Sequence, residues 1–199
     1  MINPNTYLDS LLKNNITFFA GVPDSLLKQF CACVTDKCHK DDHTITANEG
    51  GAIGLAIGYH LGSGKIPMVY LQNSGLGNIV NPLLSLASPQ VYGIPMLILL
   101  GWRGEPGVKD EPQHDVKGKI TEQILKLLNV KYTILRSNLD LKKFDKQIKI
   151  AKKNSSIIAC LIEEGVLEKD KNQKKKKDFY KLDKEFFLKT LLENLQKKT

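Results

Sequence analysis

No apolar stretch in this 199-residue chain approaches the ~20 residues that a membrane-crossing helix needs, so no bilayer span is expected. The opening residues Met1-Ile2-Asn3-Pro4-Asn5-Thr6 lack the cationic and apolar regions of an export signal, and a cytoplasmic protein is the expectation. Neither a Walker loop nor a Gly-x-Gly-x-x-Gly fingerprint occurs; Gly75-Leu76-Gly77 lacks the third glycine. Cysteine is scarce: Cys31, Cys33, Cys38 and Cys160 make up the whole complement. The grouping of the first three with His39 and His43 fits none of the common zinc spacings. Residues two apart on a helix also point in different directions, so reduced, inert thiols and no metal ligands are expected.

Arg and aromatic residues are missing where nucleic acid would need them. The net charge is +8, yet Glu168 to Thr199 holds eleven Lys against six acidic residues, a net +5 of that total. Its run Lys174-Lys175-Lys176-Lys177 offers no ring for stacking and no guanidinium for bidentate readout, which describes a solvated lysine run. No nucleic-acid or membrane partner is expected.

What is present describes a globular chain: 42% hydrophobic residues, a mean hydropathy of -0.22, and length enough for one domain with a real core. Apolar runs at Ile16-Gly21, His43-Ala47, Pro67-Gln72, Ile94-Gly101, Tyr132-Leu135 and Ser156-Glu163 read as strands. Helices are expected near Pro4-Asn14, Asp24-Val34, Glu49-Leu61, Asn78-Ala87, Thr121-Leu128 and Leu141-Lys153. Short continuous apolar strands separated by helices indicate a doubly wound α/β fold, with a mainly parallel six-stranded sheet covered on both faces. This domain is expected to span residues 1–167. Residues 168–199 read as a lysine-rich linker and a terminal amphipathic helix, with Phe186, Phe187, Leu191, Leu192 and Leu195 near helical spacing.

Ligands of such sheets collect at the carboxyl ends of the strands. Here those ends carry Gly21-Val22-Pro23-Asp24-Ser25, Asn48-Glu49-Gly50-Gly51, Gln72-Asn73-Ser74-Gly75-Leu76-Gly77-Asn78, and the long Gly101-Trp102-Arg103-Gly104-Glu105 loop leading to His114. Each also has a structural use. Asp24 can cap a helix, Asn73 and Ser74 can close a turn, and Gly75 and Gly77 can supply positive φ. Arg103 and His114 can be solvated surface groups. Glu49 stands apart: a carboxylate at a strand end, beside a glycine-rich helix that lets another surface come close. Burying it calls for a hydrogen-bonding partner, and a ring nitrogen that must be protonated is one.

These loops resemble the N-terminal, pyrimidine-binding half of phosphonopyruvate decarboxylases, which are thiamine-diphosphate enzymes. They are similar, less closely, to the alpha subunit of sulfopyruvate decarboxylases. Asn73-Ser74-Gly75-Leu76-Gly77-Asn78 fits both families. Gly101-Trp102-Arg103-Gly104-Glu105 and Asp110-Glu111-Pro112-Gln113-His114 favour the first. The resemblance implies that Glu49 hydrogen-bonds the cofactor's aminopyrimidine and favours its imino tautomer, while the cofactor carries the decarboxylation. It implies Asp24 and His114 as proton carriers beside the reacting carbon, although the family's adjacent histidine pair is here Gln113-His114. Arg103 becomes the phosphonate ligand, with Ser25 and Gln113 as further substrate contacts, and Asn73, Ser74 and Gly75 line the cofactor cleft.

These enzymes hold the diphosphate through Mg2+ on a Gly-Asp-Gly motif, and this chain has none. The resemblance therefore implies a diphosphate-binding subunit or domain that supplies the Mg2+ site, with the active site formed between subunits of a homo- or hetero-oligomer. The chain is then one subunit of a split enzyme or a truncated single-chain enzyme, inactive by itself. The expected reaction converts 3-phosphonopyruvate, a small 2-oxo acid, to phosphonoacetaldehyde and CO2. The alternatives are 3-sulfopyruvate as substrate, or a non-catalytic regulatory or binding subunit derived from the family.

Overall fold

In the computed structural model, which describes residues 1–169 and 184–196, the apolar runs form six strands. They are β1 (Phe19–Gly21), β2 (His43–Ile45), β3 (Met68–Gln72), β4 (Met96–Gly101), β5 (Lys131–Leu135) and β6 (Ile157–Ile162). They pair in parallel throughout, in the order β2-β1-β3-β4-β6-β5. The central strands bury both faces, which is why they read as unbroken apolar runs and not as alternation.

Successive side chains leave a strand on opposite faces. Leu97 and Leu99 join the layer built by α1 (Pro4–Lys13), α2 (Lys28–Lys37) and α6 (Asn138–Lys153), with Tyr7, Phe30 and Phe144 at its centre. Met96, Ile98 and Leu100 join the opposite layer of α3 (Glu49–Ser63), α4 (Leu76–Pro82) and α5 (Pro112–Leu127), where Ile53, Ala56 and Ile79 pack. Each fully buried Leu or Ile here contributes roughly 1.5–3 kcal/mol relative to exposure. The unit so formed spans Met1–Lys169.

Three helices depart most from their expected bounds. The α2 helix begins at Lys28 and not at Asp24, because the Asp24 carboxylate closes a local turn onto the Leu26 amide at 2.8 Å. The α5 helix begins nine residues before the expected Thr121, with Pro112 at the first helical position, where its missing N–H costs nothing. Gln113 and His114 thus sit on a helical first turn, not in a loop. The α4 helix gives way after Pro82 to a π-helical turn, Leu83–Ala87. Proline removes one backbone donor and crowds the carbonyl four residues back, and the wider turn accommodates that.

The second unit contains α7 (Lys184–Gln196), on which Phe186, Phe187, Leu191 and Leu192 are exposed. The run Lys174–Lys177 and the rest of the expected linker after Lys169 lie outside the described residues. Among the described residues no helix is long and apolar enough to cross a membrane, and no group of three or more His, Cys, Asp or Glu side chains is placed to hold a metal ion.

Candidate functional site

The chain leaves β1 toward β2 on one side and returns across it to β3 on the other. This reversal opens a crevice at the carboxyl ends of β1 and β3, the usual ligand position in an open α/β sheet. Asp24 follows β1, Glu49 follows β2, and the segment Gln72–Asn78 runs from the last residue of β3 into the turn and helix beyond it.

Glu49 is the first residue of α3. Asn48 caps that helix by accepting the Gly51 amide at 2.8 Å, and a carboxylate in the first turn is favoured by the helix dipole. The Glu49 side chain is half-buried, and its Oε2 accepts a hydrogen bond from Asn78 Nδ2 at 2.7 Å. Its Oε1 lies directly against Gly75, where an added Cβ would overlap the carboxylate. Gly75 is therefore required by close approach, not by a positive φ.

Asp24 is 7% exposed. Its Oδ1 accepts from Gln72 Nε2 at 2.6 Å, and Gln72 Oε1 accepts in turn from Ser74 Oγ at 2.6 Å. Gly101, the last residue of β4, lies under the carboxylate; a Cβ there would overlap Asp24 Oδ2. One short segment starting at the end of β3 thus holds both acids, Asp24 through Gln72 and Glu49 through Asn78. Sequence reasoning gave neither Gln72 nor Asn78 a role, and their only signal was amide side chains flanking a glycine turn at a strand end.

Arg103, just beyond β4, is clamped by Asp110. Its Nε donates to Asp110 Oδ2 at 2.8 Å, its Nη2 to Oδ1, and its Nη1 to Ser25 Oγ at 3.1 Å. Asp110 also accepts the Gly104 amide at 2.7 Å and the Glu111 amide at 2.8 Å. The Arg103 guanidinium, ahead of the two backbone amides, holds the Asp110 carboxyl well below the usual carboxylate range. Reciprocally, Asp110 pushes the guanidinium pKa further up. The expected phosphonate ligand is accordingly not a free cation: three of its five N–H donors are already engaged and its charge has a partner.

Asn73 is 3% exposed, and both the nitrogen and the oxygen of its amide are engaged. Nδ2 donates to Arg103 O at 2.8 Å and to Thr121 Oγ1 at 2.9 Å, while Oδ1 accepts from Arg103 N at 3.1 Å. Its side chain stitches the ends of β3 and β4 to α5, while Ser74 donates to Gln72, the partner of Asp24, and Gly75 lies against Glu49. His114 is half-buried, and its Nδ1 is sealed from solvent with no hydrogen-bond partner among the described residues. Its backbone carbonyl abuts Gly104, which adopts φ 69° and has no room for a Cβ. Gln113 is exposed. Trp102 Nε1 donates to Gly118 O at 3.0 Å, completing the seam between the loop and α5.

Residues 5–125 match the family described as thiamine pyrophosphate enzyme, N-terminal TPP binding domain, and the chain belongs to that family. A phosphonopyruvate decarboxylase of Streptomyces hygroscopicus is 36% identical over 141 residues, which cover 70% of this chain and 34% of that protein. A sulfopyruvate decarboxylase subunit alpha of Methanococcus maripaludis is 32% identical over 123 residues, 62% of this chain and 71% of that subunit. The chain spans about a third of the length of the phosphonopyruvate decarboxylases it matches. Among solved structures, 2-oxoglutarate:ferredoxin oxidoreductase from Magnetococcus marinus superposes with a TM-score of 0.61 at 14% identity, over 83% of this chain and 29% of that one. That likeness is one of fold.

Proposed function

We propose that this chain is the pyrimidine-binding component of a thiamine-diphosphate-dependent 2-oxo acid decarboxylase, acting on 3-phosphonopyruvate to give phosphonoacetaldehyde and CO2. The observation that carries the reading is the Glu49 carboxylate: half-buried, oriented by Asn78 through one oxygen, with the other packed against a glycine that leaves it just enough room. An acid so placed fits a protonated ring nitrogen, and the solvent-sealed Nδ1 of His114 is a second polar atom awaiting a partner. The bound cofactor supplies the electron sink for loss of CO2.

The chain's own residues do the rest. Glu49 shares a proton with the pyrimidine ring nitrogen. Asp24, kept in place by Gln72 and the Leu26 amide, and His114, on the first turn of α5, move protons near the reacting carbon. Arg103 offers the phosphonate the donors that Asp110 and Ser25 leave unused. The diphosphate and its Mg2+ are held by a diphosphate-binding subunit or domain, since the chain carries no Gly-Asp-Gly. A second reading, 3-sulfopyruvate as substrate, draws on the match over 71% of a sulfopyruvate decarboxylase alpha subunit, one subunit of its enzyme by its name.

Steady-state assays with both substrates, on this chain combined with a diphosphate-binding partner, separate the readings. Turnover of 3-phosphonopyruvate is expected, and Glu49→Gln is expected to lower kcat by at least ~100-fold because an amide cannot exchange the proton. Inactivity on both substrates rejects the enzyme reading. Calorimetric titration of thiamine diphosphate and Mg2+ into the lone chain is expected to show weak binding at most; tight binding would contradict the division of labour.

A further inference from the structure

The pole of the sheet opposite the carboxylates carries its own cleft. The chain stops α5 and α6 with left-handed residues, Asn129 at φ 54° and Ser155 at φ 46°, and then turns sharply into β5 and β6. Between these helix ends and the π-helical turn after α4 lies a cavity of about 510 Å³, inside the size range of small-molecule sites. Its walls are mostly aliphatic, including Leu83, Leu128, Val130, Ile150 and Ile157, and among the described residues no acidic side chain lines it.

A second depression of about 380 Å³ adjoins the first and shares Asn129, Val130, Lys131 and Gln147 with it. It is lined in addition by Lys126 and Tyr132. Two lysines, Lys126 and Lys131, therefore line a depression that adjoins an apolar chamber. Glu122, beside Tyr132, already accepts that residue's hydroxyl at 2.6 Å. Gln147 accepts from Thr133 Oγ1 at 2.6 Å through its carbonyl oxygen, which keeps its NH2 as a donor.

We propose that this bipartite cleft binds a small amphiphilic anion, with its apolar body in the aliphatic chamber and its anionic head at Lys126 and Lys131. Apolar burial supplies the affinity, while the paired ammonium groups and the Gln147 amide select the charge of the head. The site is remote from the thiamine-diphosphate rim and does not depend on the reaction assigned there.

The probes are decanoate, decanol and decyltrimethylammonium, titrated calorimetrically into the full 199-residue chain, the two ions below their micelle-forming concentrations and decanol below its solubility limit. Decanoate is expected to bind saturably and one-to-one, decanol more weakly, and the ammonium not at all. A Lys126→Gln/Lys131→Gln double variant, altering two exposed side chains, is expected to lose roughly tenfold in decanoate affinity with decanol unaffected. Leu84→Glu, which places a carboxylate on the half-exposed apolar wall, is expected to weaken decanoate further. Absence of decanoate binding, equal binding of all three head groups, or indifference to the double variant overturns the proposal. So does capture of an acidic amphipathic peptide without decanoate, which would make the cleft a protein-docking surface.

Discussion

Asp110→Asn tests whether the loop after β4 is held by charge or only by shape. Four donors converge on the two Asp110 oxygens: Arg103 Nε and Gly104 N on Oδ2, Arg103 Nη2 and Glu111 N on Oδ1. Whichever oxygen an asparagine replaces with NH2, two donors lose their acceptor and face another donor. Removing one side of a buried ion pair costs about 3–5 kcal/mol. The side chains here are 20% and 10% exposed, so solvent screens part of that and about 3 kcal/mol is expected. Against a total stability of roughly 5–15 kcal/mol, this moves a urea midpoint by about 1.5 M at a typical slope and Tm by roughly 6–12 °C.

The single Trp, Trp102, sits next to Arg103, is 5% exposed, and donates to Gly118 O, so its fluorescence reports unfolding at this very loop. The pH dependence is a second check. Because the folded carboxyl lies below its unfolded value, its contribution is complete above the unfolded pKa of about 4. It is lost progressively as pH falls from there down through the lower folded value. The difference between wild type and variant should therefore stay flat from pH 7 to about 5 and close only in stronger acid. A stability difference below ~0.5 kcal/mol at pH 7 would place the pair among ordinary surface ion pairs and refute the clamp.

Gly75→Ala forces the Glu49 carboxylate to move; with a diphosphate-binding partner, kcat should fall at least ~10-fold while Tm changes little, and an unchanged kcat would show that Glu49's position is immaterial. Gly118→Ala drives a Cβ into the Gly104 carbonyl, with backbone on both sides and no flexible side chain to yield. A loss of ~2–4 kcal/mol is expected by urea denaturation, and a neutral result would mean that the loop can lift off α5. Burial pushes the Cys160 thiol up to about 12, with Tyr7 Oη at 3.0 Å beside it. Thiol titration at pH 8 should leave Cys160 unreacted in native protein, since ~10⁻⁴ of it is thiolate, and label it only on unfolding; rapid native labelling would contradict its burial.

Sequence alone determined what depends on neighbours along the chain. The six apolar strands, the helices between them, the parallel doubly wound class and the gathering of polar loops on one rim all follow from periodicity and punctuation, which are local properties. The position of Glu49 at the mouth of a glycine-rich helix was equally legible, because strand end and helix start are adjacent in sequence. Boundaries failed where apolar periodicity was silent: the first turns of α5 carry Gln113, His114, Asp115, Lys117 and Lys119 and gave no amphipathic signal. Only the tertiary structure decided who holds the acids. Gln72 reaches Asp24 across 48 residues, Asn78 reaches Glu49 across 29, and Asn73 turns to Arg103 across 30. Such bonds depend on the strand order β2-β1-β3-β4, which sets distant loops side by side and which no local pattern encodes. The clamp on Arg103 has the same origin: a cation and a carboxylate seven residues apart read as independent until the turn at Gly104 folds one onto the other.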